Sequence, residues 1–126
     1  MKFCTAVNCM DGRVQEPVIR FLTERFSADC VDMITEPGPN RILAEKKNAA
    51  LLQAIEERIR ISVDIHQSVG IAVAGHYDCA GNPASEEEQA GHTHKAVEHI
   101  QKRFPGIPVI GLWINENREV QEIPPF

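Results

Sequence analysis

The chain has 126 residues, room for one domain with a proper core and too few for two ordinary ones. A hydrophobic fraction of 43%, a charged fraction of 25% and a net charge of −5 describe a globular protein and argue against nucleic acid or an anionic membrane as the main partner. No apolar run approaches the roughly 18 residues of a membrane span and no leader-type segment opens the chain, so the cytoplasm is the expected location. In that setting the cysteines at 4, 9, 30 and 79 read as metal ligands, reactive thiols or small core residues rather than a disulfide scaffold.

Strand-like and helix-like periods alternate along the chain. Lys2 to Val7 reads as a first strand. Pro17 suits the first turn of a helix, where its missing N–H costs nothing, and Val18, Leu22 and Phe26 give that helix one apolar stripe. Asp29 to Thr35 is a second strand. Asn40 is the expected N-cap of one long helix whose stripe runs Leu52, Ile55, Ile59, Val63. Val69 to Ala74, the most apolar run, reads as a central strand. Ser85 and Glu88 have capping-box spacing and predict a helix from about Glu86 to Phe104, with Ala96, Val97 and Ile100 inward. Val109 to Ile114 is a fourth strand. After the turn Asn115-Glu116-Asn117, Glu119 to Ile123 reads as an edge strand antiparallel to it.

This pattern predicts an α/β fold: three α-β-α layers, a four-stranded mainly parallel sheet of order 2-1-3-4, and a C-terminal antiparallel edge strand. Residues 1–126 form a single domain in this reading. Ligands of such sheets bind beyond the carboxyl ends of the strands at the switch point, here between strands one and three. An exposed sheet edge and the apolar Trp113 predict a homodimer.

Two unusual segments fall at the switch point. The first strand runs into Asn8-Cys9-Met10-Asp11-Gly12-Arg13, and the third into Gly75-His76-Tyr77-Asp78-Cys79. Cys9, His76 and Cys79 are zinc-ligand types arriving from adjacent strands. Neighbouring strands lie about 4.8 Å apart, and a sulfur–metal–nitrogen bridge spans about 4.4 Å along its bonds, so the distances are compatible. The residues by themselves leave several readings open: a metal site, a packed cysteine beside a strand-end histidine, or a Cys9–Cys79 redox pair. Asp11 and Arg13, taken alone, read as a surface ion pair.

Cys9-x-Asp11-x-Arg13 followed by Gly75-His76-x-x-Cys79 resembles the signature of the β-class carbonic anhydrases, and the likeness runs from Lys2 to about Ile123. It implies the same sheet order, a zinc ion held by Cys9, His76 and Cys79, and Asp11 and Arg13 as a catalytic dyad. It also implies reversible hydration of carbon dioxide to bicarbonate by a zinc-bound hydroxide, with carbon dioxide or bicarbonate as the small-molecule substrate. Some family members turn the aspartate onto the metal, so Asp11 is a possible fourth ligand of a closed state.

This chain is a minimal, divergent relative by that comparison. Only eight residues precede Cys9, where the family carries helices that clasp a second subunit. Gly12 stands where the family more often has serine, and Ala80 precedes Gly81 where glycine often follows the second cysteine. The loop Glu36-Pro37-Gly38-Pro39-Asn40 lacks the arginine usual there. Alternatives to carbon dioxide hydration are a zinc-binding protein without turnover, or hydrolysis of an analogue such as carbonyl sulfide. His92, His94 and His99 read as a solvated helix face rather than a second metal site, because His92 and His99 lie about 10 Å apart along a helix axis. His66 reads likewise. Cys4 and Cys30 read as core, and Asp78 as a turn residue. Tyr77 reads equally as a wall of the site or as packing.

Overall fold

The strands of a sheet covered on both faces must be apolar on both sides, and the first and third are. The computed structural model describes residues 1–125. It has strands β1 (Phe3–Cys9), β2 (Cys30–Glu36), β3 (Ile71–His76), β4 (Val109–Ile114) and β5 (Val120–Ile123). The helices are α1 (Gln15–Arg25), α2 (Pro39–Glu45), α3 (Ala49–Arg60) and α4 (Glu86–Arg103). The sheet order is β2-β1-β3-β4-β5, all parallel except the antiparallel β4–β5 pair. The expected α/β fold, strand order and antiparallel edge strand are therefore present.

Alternation along the strands divides the core in two. Cys4 and Ala6 of β1 and Ala72 and Ala74 of β3 face α1, which fills the space above these small residues with Val18 and Leu22. Val7, Ile71 and Val73 face the opposite way, onto Leu43 of α2, Ile55 and Ile59 of α3, and Ala96 and Ile100 of α4. Burying one such leucine or isoleucine contributes about 1.5–3 kcal/mol. Among the described residues no helix is long and apolar enough to cross a membrane.

One expected element is corrected. The long helix capped by Asn40 is two helices. Lys46 takes a left-handed conformation (φ 56°) and ends α2, and the Asn48 side chain accepts from the Leu51 N–H at 3.0 Å to cap α3. An asparagine that bonds its own backbone nearby competes with continued helix. Asn40 instead lies buried in α2, after Pro39. Ser85 caps α4 as expected, accepting from the Glu88 N–H at 3.2 Å.

A π-helical turn, Ile61–Ile65, follows α3 and draws Ser62 inward. Ser62 meets the Thr5 hydroxyl at 2.6 Å and donates to Asp32 at 2.6 Å. His66 is not freely solvated: its Nδ1 lies 2.7 Å from Asp32 and its ring stacks on Phe3. Trp113 is only 7% exposed within the single chain and needs no second copy to cover it. Cys4 is fully buried, whereas Cys30, on the outer strand β2, is half-buried.

Candidate metal centre at the switch point

β1 and β3 pair through Thr5–Val7 and Ile71–Val73, so both chains leave the sheet side by side at their carboxyl ends. β1 ends on Cys9 and β3 on His76. Asp78 then takes a left-handed conformation (φ 49°), which aspartate tolerates better than most residues, and turns the chain so that Cys79 returns over Cys9. The two sulfurs lie 3.8 Å apart. The ligand atoms of Cys9, His76 and Cys79 all lie within 4.8 Å of one another, and the three residues are 4%, 1% and 3% exposed. They form the one such group among the described residues.

The histidine is set for an acceptor role. Its Nδ1 lies 2.6 Å from the Tyr77 carbonyl oxygen, which can only accept, so Nδ1 carries the proton. Nε2 is then an unprotonated lone pair, buried and without a hydrogen-bond partner. An orphaned buried acceptor is costly unless something electrophilic meets it.

The sulfurs carry a matching imbalance. Burial pushes the Cys9 thiol up, but His76 Nε2, which can take the thiol's proton, and the Gly38 and Asp11 backbone N–H groups favour the thiolate and bring it down to about 7. Burial and the neighbouring Cys9 sulfur push Cys79 up, against the Asn82 and Gly81 N–H groups. Two sulfurs in contact cannot both hold negative charge without a cation between them. A tetrahedral zinc ion with sulfur bonds of about 2.3 Å would hold two thiolates about 3.8 Å apart. The observed spacing, the orphaned Nε2 and the donor chemistry fit such an ion.

Two glycines make the sulfur cradle possible. Gly38 (φ 60°) and Gly81 pack backbone against backbone: a Cβ on Gly81 would lie 2.4 Å from the Pro37 carbonyl carbon, and one on Gly38 2.7 Å from the Gly81 carbonyl carbon. The Glu36–Asn40 segment is thus part of the site wall, not a plain linker.

Asp11 and Arg13 sit at the rim, 22% and 34% exposed at their side chains. Asp11 accepts from the Arg13 backbone N–H at 2.9 Å and Nε at 3.0 Å through Oδ1, and from Nη2 at 2.7 Å through Oδ2. Both carboxylate oxygens therefore face Arg13. The Arg13 hydrogen bonds hold the Asp11 carboxyl down at about 2. Arg13 is itself fixed, stacking over the Tyr77 ring at 4.8 Å and donating to the Tyr77 hydroxyl at 3.1 Å and the Asp78 carbonyl at 3.2 Å. Tyr77 and Asp78 thus belong to the rim. Gln15 Nε2 ties the loop down by donating to the carbonyls of Cys9 and Asp11 at 2.7 and 2.8 Å.

Sequence reading missed Gln15 and a buried amide cluster of Asn40, Asn82 and Gln89 behind the site. A signal existed: running the stripe Ile100–Ala96 back along α4 reaches Thr93 and Gln89, polar residues where apolar ones are due. The solvated-face reading of the histidines is also corrected. His92 Nδ1 lies 3.0 Å from Asn82 Nδ2, His94 is half-buried, and the buried His99 contacts Glu56 at 3.3 Å. None of the three joins a metal-ligand group.

The fold is shared with solved β-carbonic anhydrases. One of two tetrameric β-carbonic anhydrases from Sordaria macrospora superposes with a TM-score of 0.65 at 12% identity, over 97% of this chain and 80% of that one. The β-carbonic anhydrase CcaA superposes with 0.60 at 13%, over 98% and 81%. CafA of Aspergillus fumigatus gives 0.56 at 11%, over 97% and 74%. At such identities the likeness is one of fold. The family model described as "Putative carbonic anhydrase" matches residues 1–124, and the chain belongs to that carbonic anhydrase family. An uncharacterised protein of Rickettsia bellii (strain RML369-C) is 22% identical over 129 residues, 93% of this chain and 79% of that protein.

Proposed function

We propose that this protein binds one zinc ion through Cys9, His76 and Cys79 and catalyses the reversible hydration of carbon dioxide to bicarbonate, as a homodimer in the cytoplasm. The observation that carries the proposal is the convergence of three buried ligand atoms within 4.8 Å, one of them an orphaned imidazole nitrogen. A zinc ion held by these three residues would supply the Lewis acidity that turns water into a nucleophile. The chain's own residues do the rest. Asp11, charged and aimed by Arg13, accepts a hydrogen bond from the nucleophile and fixes its orientation. Arg13, clamped by Tyr77 and Asp78, keeps Asp11 from turning onto the metal. A closed state with Asp11 as fourth ligand would have to break the Arg13 bonds, so the open state is the proposed resting form.

Stopped-flow carbon dioxide hydration by the zinc-loaded protein tests this. Asp11→Asn should keep zinc and lose turnover by about 100-fold or more, the usual consequence of removing an oriented acid–base group. Release of zinc by Asp11→Asn would make Asp11 a structural ligand instead. Hydration no faster than buffer in the wild type, with zinc retained, would leave a zinc-binding protein without turnover. The homodimer is supported by the outer edge of β2, which no other strand among the described residues covers. Sedimentation at high micromolar concentration should show twice the 14.1 kDa chain, and a monomer alone would remove that part of the proposal.

A further inference from the structure

Gln89 is 1% exposed, and its side-chain amide is fully committed. Oε1 accepts from the His76 backbone N–H and from Asn40 Nδ2, each at 3.3 Å. Nε2 donates to the His76 carbonyl at 2.8 Å and to the Asn82 carbonyl at 3.0 Å. The partners themselves settle which atom is nitrogen, since a backbone N–H needs an oxygen and carbonyls need a donor. One amide therefore grips the residue that ends β3, and ties it to the far side of the loop that carries Cys79. Gly75 makes room for this, because a Cβ there would lie 2.9 Å from Gln89 Oε1 and 2.8 Å from Asn40 Nδ2. Among the described residues no other side chain bonds both ends of the His76–Asn82 segment.

We infer that Gln89 is a positioning residue of the metal centre: it closes the loop between His76 and Asn82, and so presets His76 and Cys79 against Cys9 before any ion arrives. The inference rests on the zinc-site reading above and deepens it. Residues that orient ligands without touching the metal are typically worth about 10- to 100-fold in metal affinity. Gln89→Met keeps the volume and removes the whole amide. Gln89→Asn keeps a neutral amide but draws it back by one methylene, away from the His76 N–H and the two carbonyls, and is the second variant should the first not fold. Ser62→Ala, at the opposite end of the sheet, removes one buried and one part-buried hydrogen bond and serves as the control for plain destabilisation.

Zinc affinity is read by chelator competition, ligand geometry by the visible absorption of the cobalt(II)-loaded protein, and loop closure by amide hydrogen exchange of Tyr77–Ala84 in the metal-free protein. Both Gln89 variants should lose about 10- to 100-fold in zinc affinity, with weakened cobalt bands and faster exchange in that loop. Ser62→Ala should melt earlier with affinity, bands and loop exchange unchanged. Zinc affinity within twofold of wild type in folded Gln89→Met or Gln89→Asn, or an equal loss in Ser62→Ala, would overturn the inference. A wild type that binds no zinc would overturn the metal reading instead, and loop exchange would then decide alone whether Gln89 closes the segment.

Discussion

Cys4 and Cys9 lie on the same strand, five residues apart, both buried, yet their environments are opposites. Burial, with the charge of Asp32, pushes the Cys4 thiol up to about 11 and makes it an inert core residue. At the other end of β1, polar neighbours overcome burial and bring Cys9 down to about 7. The polar groups around them differ in the same way. At the amino end Thr5, Ser62, Ser68 and Asp32 close a hydrogen-bond chain ending on the Gly70 carbonyl. At the carboxyl end His76 Nε2, Asn82 Oδ1 and Asn8 Oδ1 are buried without partners. A satisfied buried network holds a fold together. An orphaned imidazole nitrogen beside a thiol pair is the arrangement on which the proposed zinc site rests.

The sharpest way to break this comparison is to treat the two ends alike. Cys79→Ala should abolish zinc binding while the protein stays folded, whereas Cys4→Ala should keep a full zinc ion and lose about 1 kcal/mol of stability through a small cavity. Metal content by elemental analysis decides it, and full zinc in Cys79→Ala would remove the proposed ligand set. Gly81→Ala comes next. Its Cβ cannot fit against the Pro37 backbone, so the two loops must part and the Gly38 N–H must draw away from Cys9. It should cost about 1–3 kcal/mol by overpacking and also weaken zinc, which chelator competition would register.

At the amino end Thr5→Val should cost about 1–3 kcal/mol by leaving Ser62 and Ser68 short of a partner, with hydration and zinc affinity untouched. A loss of zinc there would mean the two ends are not separable. The smallest effect belongs to His99. Burial, then Lys46, lowers its pKa below 6.5, against the pull of Glu56, while Arg103 acts in the same sense as Lys46. A base with a depressed folded pKa stabilises fully above its unfolded value and loses that stability as pH falls through 6.5 toward the folded pKa. Denaturant midpoints should fall on that side in the wild type and less in His99→Gln. Equal slopes in both would remove His99 as a contributor.

Much of this was legible along the chain. The apolar runs of β1 and β3, the period near four in the helices, and the Gly-Pro breaks determined an α/β fold with its switch point between strands one and three. The C-x-D-x-R and H-x-x-C spacings at strand ends determined which residues to suspect, because short spacings act through local backbone geometry. What the sequence could not decide depended on contacts across long separations. The split of the expected long helix is the local exception, with Lys46 turning left-handed and Asn48 capping the next helix. The sulfur spacing depended on Gly38 meeting Gly81. The environment of Cys9 depended on the Gly38 N–H from a loop it does not border in sequence, and the role of Gln89 on a strand thirteen residues upstream. Only the tertiary structure brings such groups within hydrogen-bond distance, and distance is what separates a packed cysteine from a ligand.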